Sequence, residues 1–227
     1  MQSSSMSLAT TALLLALLAS TVSSTVIHIC NHYVDEVHLS WDVSAPEMRQ
    51  PVHTVLLYDQ CVDEQMLPGW SGAFFAGLVN NSHAVGGWRN FDTKVEFSIN
   101  PADGVDWFDV SHIAGFSLPM IVSGGDVVAG CAVDKLINCP VGWQARPSPD
   151  GPVVQCRNDG SQAAYDFFVF KCPNTYVRFN DDAQGTKAAT GSPNYLDVSI
   201  GLGSTGVAAI VPPKVDSCIA CTAVPPP

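Results

Sequence analysis

Thr93-Lys94-Val95-Glu96-Phe97-Ser98-Ile99 alternates without a break. Val95, Phe97 and Ile99 fall on one face of an extended chain, and Lys94, Glu96 and Ser98 on the other. That is the two-residue period of a strand packed on one side only. Outward from it, short β-branched or aromatic segments bounded by Gly, Pro, Asn or Asp recur at residues 25–30, 36–43, 53–58, 70–78, 107–111, 118–122, 195–200 and 207–211. Many short strands at fairly even spacing predict a mainly β sandwich or barrel. Two helices interrupt them. One is predicted over 131–138 and stops at Pro140. The other covers 162–171, is apolar at Ala163, Phe167 and Phe170, and ends at Pro173.

Charged residues make up 14% of the 227-residue chain, too few for disorder, and the net charge is −11. That charge repels phosphate backbones and anionic membrane surfaces, so neither nucleic acid nor a membrane is an expected partner. A neutral polysaccharide or a secreted protein remains. Residues 8–19, LATTALLLALLA, form an apolar run too short to cross a bilayer, and Val22-Ser23-Ser24 follows with small residues. The pair reads as a signal peptide over 1–24, which predicts an exported, extracellular protein. The expected organisation is a β domain over 25–211, with a reduced helical or loop insert at 139–190, then a proline-rich tail over 212–227.

All eight cysteines follow the predicted cut: Cys30, Cys61, Cys131, Cys139, Cys156, Cys172, Cys218 and Cys221. An even count in an exported chain reads as four disulfides. Cys218 to Cys221 is a CxxC, but a zinc site needs a second ligand pair and the candidates are scattered. His28, His32 and His38 crowd the first strands at offsets that make no helical metal site. Asp103, Asp106 and Asp109 lack the glycine and final glutamate of a calcium loop. No cofactor or metal is expected, and the chain is read as a monomer. Asn80-Asn81-Ser82 is an N-glycosylation sequon in a predicted loop, with Asn80 as the acceptor.

Several segments, in order, resemble the thaumatin-like family. They are Gly69-Trp70-Ser71-Gly72-Ala73-Phe74-Phe75, Val95-Glu96-Phe97, Asp109-Val110-Ser111, Gly115-Phe116-Ser117-Leu118-Pro119-Met120, Gly130-Cys131-Ala132-Val133-Asp134 with Cys139-Pro140, Phe167-Phe168 before Cys172-Pro173-Asn174-Thr175-Tyr176, and Asn194-Tyr195. The resemblance implies a β-sandwich with a small second region, here cut down, and a reduced cysteine set. It implies bridges Cys131–Cys172 and Cys139–Cys156. It also implies that Cys30 joins Cys218 or Cys221, which leaves Cys61 the other tail cysteine.

The same resemblance implies an acidic cleft that binds β-1,3-glucan and, in some members, weakly hydrolyses it. Its carboxylates map onto Glu96, Asp109 and Asp181 or Asp182. Paired carboxylates can act as general acid and as base or nucleophile, because closeness raises one pKa. Two departures count against turnover: the family's aspartate before Gly-Phe is Ala114, and its cleft arginine is replaced by Ala73 or Gly77. Trp70, Trp88 and Trp107 could stack on a sugar ring; Trp70, beside Phe74 and Phe75, reads as core, and Trp88 is the better candidate for exposure. The expected function is therefore defence-related glucan binding, with two alternatives: a weak endo-β-1,3-glucanase, or a protein-directed binder or enzyme inhibitor.

Overall fold

The computed structural model describes residues 24–44, 51, 55–78, 92–100, 104–189 and 194–201. In chain order the strands are β1 Thr25–Asn31, β2 Val37–Val43, β3 Val55–Leu56, β4 Cys61–Met66, β5 Ser71–Gly77, β6 Thr93–Ser98, β7 Trp107–Ser111, β8 Gly115–Phe116, β9 Met120–Gly124, β10 Val127–Cys131, β11 Gln144–Ala145, β12 Gln155–Arg157, β13 Lys187–Ala188 and β14 Tyr195–Ile200. Two helices, α1 Gln162–Lys171 and α2 Asp182–Gly185, lie between β12 and β13.

A six-stranded sheet in the order β13-β7-β6-β5-β2-β3 packs on a five-stranded sheet in the order β10-β9-β14-β1-β4. The alternation read in 93–99 is what joins them. Val95 and Phe97 from the first sheet meet Ile27, Ile29, Val122, Leu196 and Val198 from the second in one buried core. Each such side chain contributes about 1.5–3 kcal/mol on full burial. The fold is a mainly β sandwich. Within the five-stranded sheet, β1 pairs antiparallel with β4 and parallel with β14.

A second, smaller core lies beneath α1. Phe168 packs there with Phe116, Cys139, Cys156 and Val177. The helix opens at Ser161, whose hydroxyl accepts from the Ala164 amide at 3.1 Å, a normal N-cap. The third sheet, β11-β12-β8, ties this region to the sandwich. Gln155 on β12 adds a buried link, donating to Asp92 Oδ1 at 2.6 Å just before β6.

Two local expectations are corrected. Residues 131–138 are not a helix. Cys131 closes β10, and the Asp134 carboxylate accepts from the Leu136 amide at 2.8 Å, a side-chain turn that competes with helix. Strand β4 appears where none was expected, because Glu64 points inward between Val62 and Met66 and hides the alternation.

The cross-links are Cys131–Cys172, Cys139–Cys156 and Cys30–Cys61. The last corrects the expected bond from Cys30 to the tail, and with it the assignment of Cys61. The two residues are register partners on β1 and β4, and pairing register outranks chain position in deciding which sulfurs meet. Cys218 and Cys221 lie outside the described residues, as do the signal segment over 1–23, the strand expected at 207–211, Trp88 and the Asn80 sequon.

Candidate functional site

The outer face of the six-stranded sheet is built in rows by its register. Asp42 pairs with Ala73, Ala73 with Glu96, and Glu96 with Asp109, so β2, β5, β6 and β7 each give one residue to a single line. The next row toward one end is Ser71, Ser98 and Trp107, and toward the other Ser40, Phe75, Lys94 and Ser111. Part of these rows, together with Ser44 and Thr186, lines a cleft of about 360 Å³, with Asp42, Lys94, Glu96, Trp107 and Asp109 along it.

The position of β6 is fixed from behind. The Thr93 amide donates to Ser117 Oγ at 2.9 Å, the Ser117 amide returns a bond to Thr93 Oγ1 at 3.0 Å, and Thr93 Oγ1 donates to Leu118 O at 2.8 Å. That buried exchange holds Lys94 and Glu96 against the cleft floor.

The two central carboxylates differ in state. Burial, and then the neighbouring Glu96 carboxylate, push Asp109 up to about 8, against the opposing pull of Lys94. Asp109 is therefore protonated at neutral pH, and its buried Oδ1 meets no hydrogen-bonding group among the described residues. Glu96 Oε1 lies 2.8 Å from Lys94 Nζ, a part-exposed ion pair. Register partners directly opposite in an antiparallel pair have Cβ atoms about 4.5–5.5 Å apart. The two acids thus stand side by side on one floor.

The other sequence candidates separate. Asp182, in α2, accepts from the Tyr176 hydroxyl at 2.6 Å and raises Asp109 through its charge, but does not line the cleft. Asp181 is committed to the backbone, accepting from the Arg178 amide at 2.8 Å. Trp70 is in the core. Ala73 or Gly77 stands where the resemblance implies an arginine and Ala114 where it implies an aspartate, and Ala73 makes the gap in the carboxylate row. Sequence reasoning missed Asp42. The signal was there, since Val37, Leu39 and Trp41 alternate with His38, Ser40 and Asp42. Trp107 supplies the aromatic edge among the described residues, and Trp88 lies outside them.

The three N-terminal histidines each face their own acid: His28 with Asp63 at 2.5 Å, His32 with Asp59 at 3.6 Å and His38 with Glu36 at 3.1 Å. His28 also lies close to Cys30 and Cys61, but both sulfurs are consumed in a disulfide and offer no thiolate to a metal.

The model of the thaumatin family matches residues 82–166. Similar proteins include a glucan endo-1,3-beta-glucosidase of Prunus avium, 30% identical over 129 residues, or 45% of this chain and 52% of that one. Thaumatin-like protein 2 of Prunus persica is 31% identical over 130 residues, 46% of this chain and 53% of that one. Zeamatin of Zea mays is 30% identical over 125 residues, again 46% and 53%. The chain spans about half the length of the curated relatives it matches. A solved structure, the protein elicitor MoHrip2 from Magnaporthe oryzae, overlaps 78% of this chain and 98% of its own at 11% identity and a TM-score of 0.43, too loose a likeness to argue from. The family model, these relatives and the ordered motifs laid over a β-sandwich agree, and together they support a thaumatin-like family member.

Proposed function

We propose that the protein is exported and binds β-1,3-glucan in the cleft without cleaving it, in a defence-related role. The carrying observation is the row Asp42, Ala73, Glu96 and Asp109, bordered by Trp107. Sugar hydroxyls both donate and accept. The Glu96 carboxylate beside Lys94 offers acceptors, whereas a protonated Asp109 offers a donor as well. The half-buried Trp107 ring adds an apolar surface for a pyranose face. The name of the Prunus avium relative supports the glucan class. Three disulfides among the described residues fit an oxidising compartment.

Hydrolysis needs two carboxyl groups that flank the scissile bond. Glu96 and Asp109 are lateral neighbours on one floor, Glu96 is engaged by Lys94, and the family pattern's further arginine and aspartate are absent at Ala73 or Gly77 and at Ala114. That arrangement supports binding without turnover.

The test is retention of the mature protein on insoluble β-1,3-glucan at mildly acidic pH and low salt. Wild type should be retained, and Glu96→Gln with Asp109→Asn should weaken retention about tenfold while the fold survives, as expected for loss of one or two charge-assisted bonds. No new reducing ends should appear on a soluble β-1,3-glucan. Robust hydrolysis by pure protein would overturn the non-catalytic reading. Absence of retention would overturn the glucan reading and favour a protein partner.

A further inference from the structure

On the outer face of the five-stranded sheet, far in register from the cleft, two rows lie side by side. Asp63, His28 and Asp197 form one, and Cys61, Cys30 and Ser199 the next. The bridge across β1 and β4 is chemically lopsided. Cys61 is exposed on β4, the edge strand of the sheet, while Cys30 is 7% exposed. His28 Nε2 meets the sulfur of Cys30 at 3.1 Å, with that of Cys61 farther off but within 4.8 Å. The other ring nitrogen, Nδ1, is held by the Asp63 carboxylate at 2.5 Å, and the ring stacks on Tyr195 at 5.9 Å between centroids. Asp63 thus fixes the ring so that Nε2 faces the sulfur.

We propose that Cys30–Cys61 is an exchangeable disulfide, at which an external thiol attacks Cys61 and Cys30 leaves as a thiolate held by His28. The attacking group is a thiolate, its proton already lost to solvent. A new S–S bond forms between it and Cys61 Sγ. The Cys30–Cys61 bond breaks, and its electron pair stays on Cys30 Sγ. One disulfide is exchanged for another with no net oxidation or reduction. Departure is faster the better the leaving sulfur carries negative charge, and a thiolate beside a histidine cation is the established way to lower that cost. Attack from the other side is disfavoured twice. Cys30 is covered, and the sulfur that Nε2 contacts directly is that of Cys30, not Cys61. The other described bridges lack this pairing of an open sulfur with a histidine: Cys131, Cys139, Cys156 and Cys172 are all buried. The product carries a thiol adduct on the edge strand and a free thiolate behind it, which makes Cys61 a modification site for a small thiol or a protein dithiol.

The folded, mature protein is incubated with millimolar glutathione, quenched with acid, and free thiols and adducts are mapped by peptide mass. The expected first product has glutathione on Cys61 and a free thiol at Cys30, with Cys131–Cys172 and Cys139–Cys156 intact. His28→Gln keeps a hydrogen-bonding side chain that cannot become a cation, and should slow adduct formation roughly tenfold, the scale expected when a leaving thiol loses one to two pK units of stabilisation. Its thermal midpoint should stay near that of wild type, which separates leaving-group chemistry from loosening of the strand pair. An adduct first on Cys30, prior opening of either buried bridge, or an unchanged rate in a folded His28→Gln protein would each overturn the proposal. If that variant does not fold, the wild-type adduct map alone decides.

Discussion

Asp109 and His112 sit three residues apart, where β7 leaves the cleft floor and enters the smaller core, and burial acts on them in opposite directions. Asp109 is held up to about 8, and the cause is burial beside Glu96. His112 has no exposed surface, stands against Phe116 and Phe168, and neither ring nitrogen has a partner among the described residues. Burial, and then the positive charge of Lys135, push it well below its ordinary value. Both groups are neutral at pH 7. The cleft stays open to a ligand, so the proton on Asp109 can be used. His112 is closed in by aromatic rings, so its neutrality serves only the fold. A perturbed titration marks a functional site when a cavity accompanies it, and a packing compromise when none does.

The largest test of this contrast removes the smaller core. Phe168→Ala should cost about 3–5 kcal/mol, the range for a buried phenylalanine, and amide exchange should rise first in α1 while β1 and β14 stay protected. Equal loss of protection across both sheets would show one cooperative core and erase the distinction. Next, His112→Leu should change the pH dependence. A histidine held below its unfolded value contributes stability that is present above about pH 6.5 and lost as pH falls further. Denaturant titrations from pH 7 to 5 should therefore show a flatter acid limb in the variant, by about 1–2 kcal/mol at pH 5.

Asp109→Asn should act at the opposite end. A carboxyl raised from 3.8 to about 8 contributes stability that is full below its unfolded value and is lost as pH rises through the folded one. The variant should therefore gain stability on wild type steadily as pH rises from 4 to 9, by the same linkage. Identical pH profiles for the two proteins would mean the cleft floor is wetter than its packing implies. The smallest effect belongs to Lys94→Met. A part-exposed ion pair is worth about 0–1 kcal/mol, so stability should barely move.

The contrast also explains what the sequence made legible. The alternation at 93–99, the helix at 162–171 bounded by Ser161 and Pro173, and the polar face carrying Glu96 and Asp109 are local patterns, and all three are present. What could not be read depends on partners distant in the chain. Asp42 joins the cleft only because β2 registers on β5 at Ala73. Cys30 meets Cys61 only because β1 and β4 pair residue for residue. Buried polar side chains misled in both directions. Glu64 hid a strand, and Asp134 with the covered Lys135, which donates to Phe168 O at 2.9 Å, replaced an expected helix by turns.

The pairing of β1 with β14 has a consequence for biogenesis. It is the only parallel ladder among the described strands, and it sets Val26 beside Tyr195. Closing so long a loop costs entropy before any contact repays it, and non-local pairing of this kind folds slowly. During synthesis β1 emerges early and has β4 as its first antiparallel neighbour. Its other edge, bearing unpaired amides and carbonyls, must wait until β14 has been made. For that interval the nascent five-stranded sheet is split into β1–β4 and β9–β10, and each half is a template for the wrong strand. The yield of folded protein should therefore respond to elongation rate and chaperone supply more than to any single side chain in the finished core.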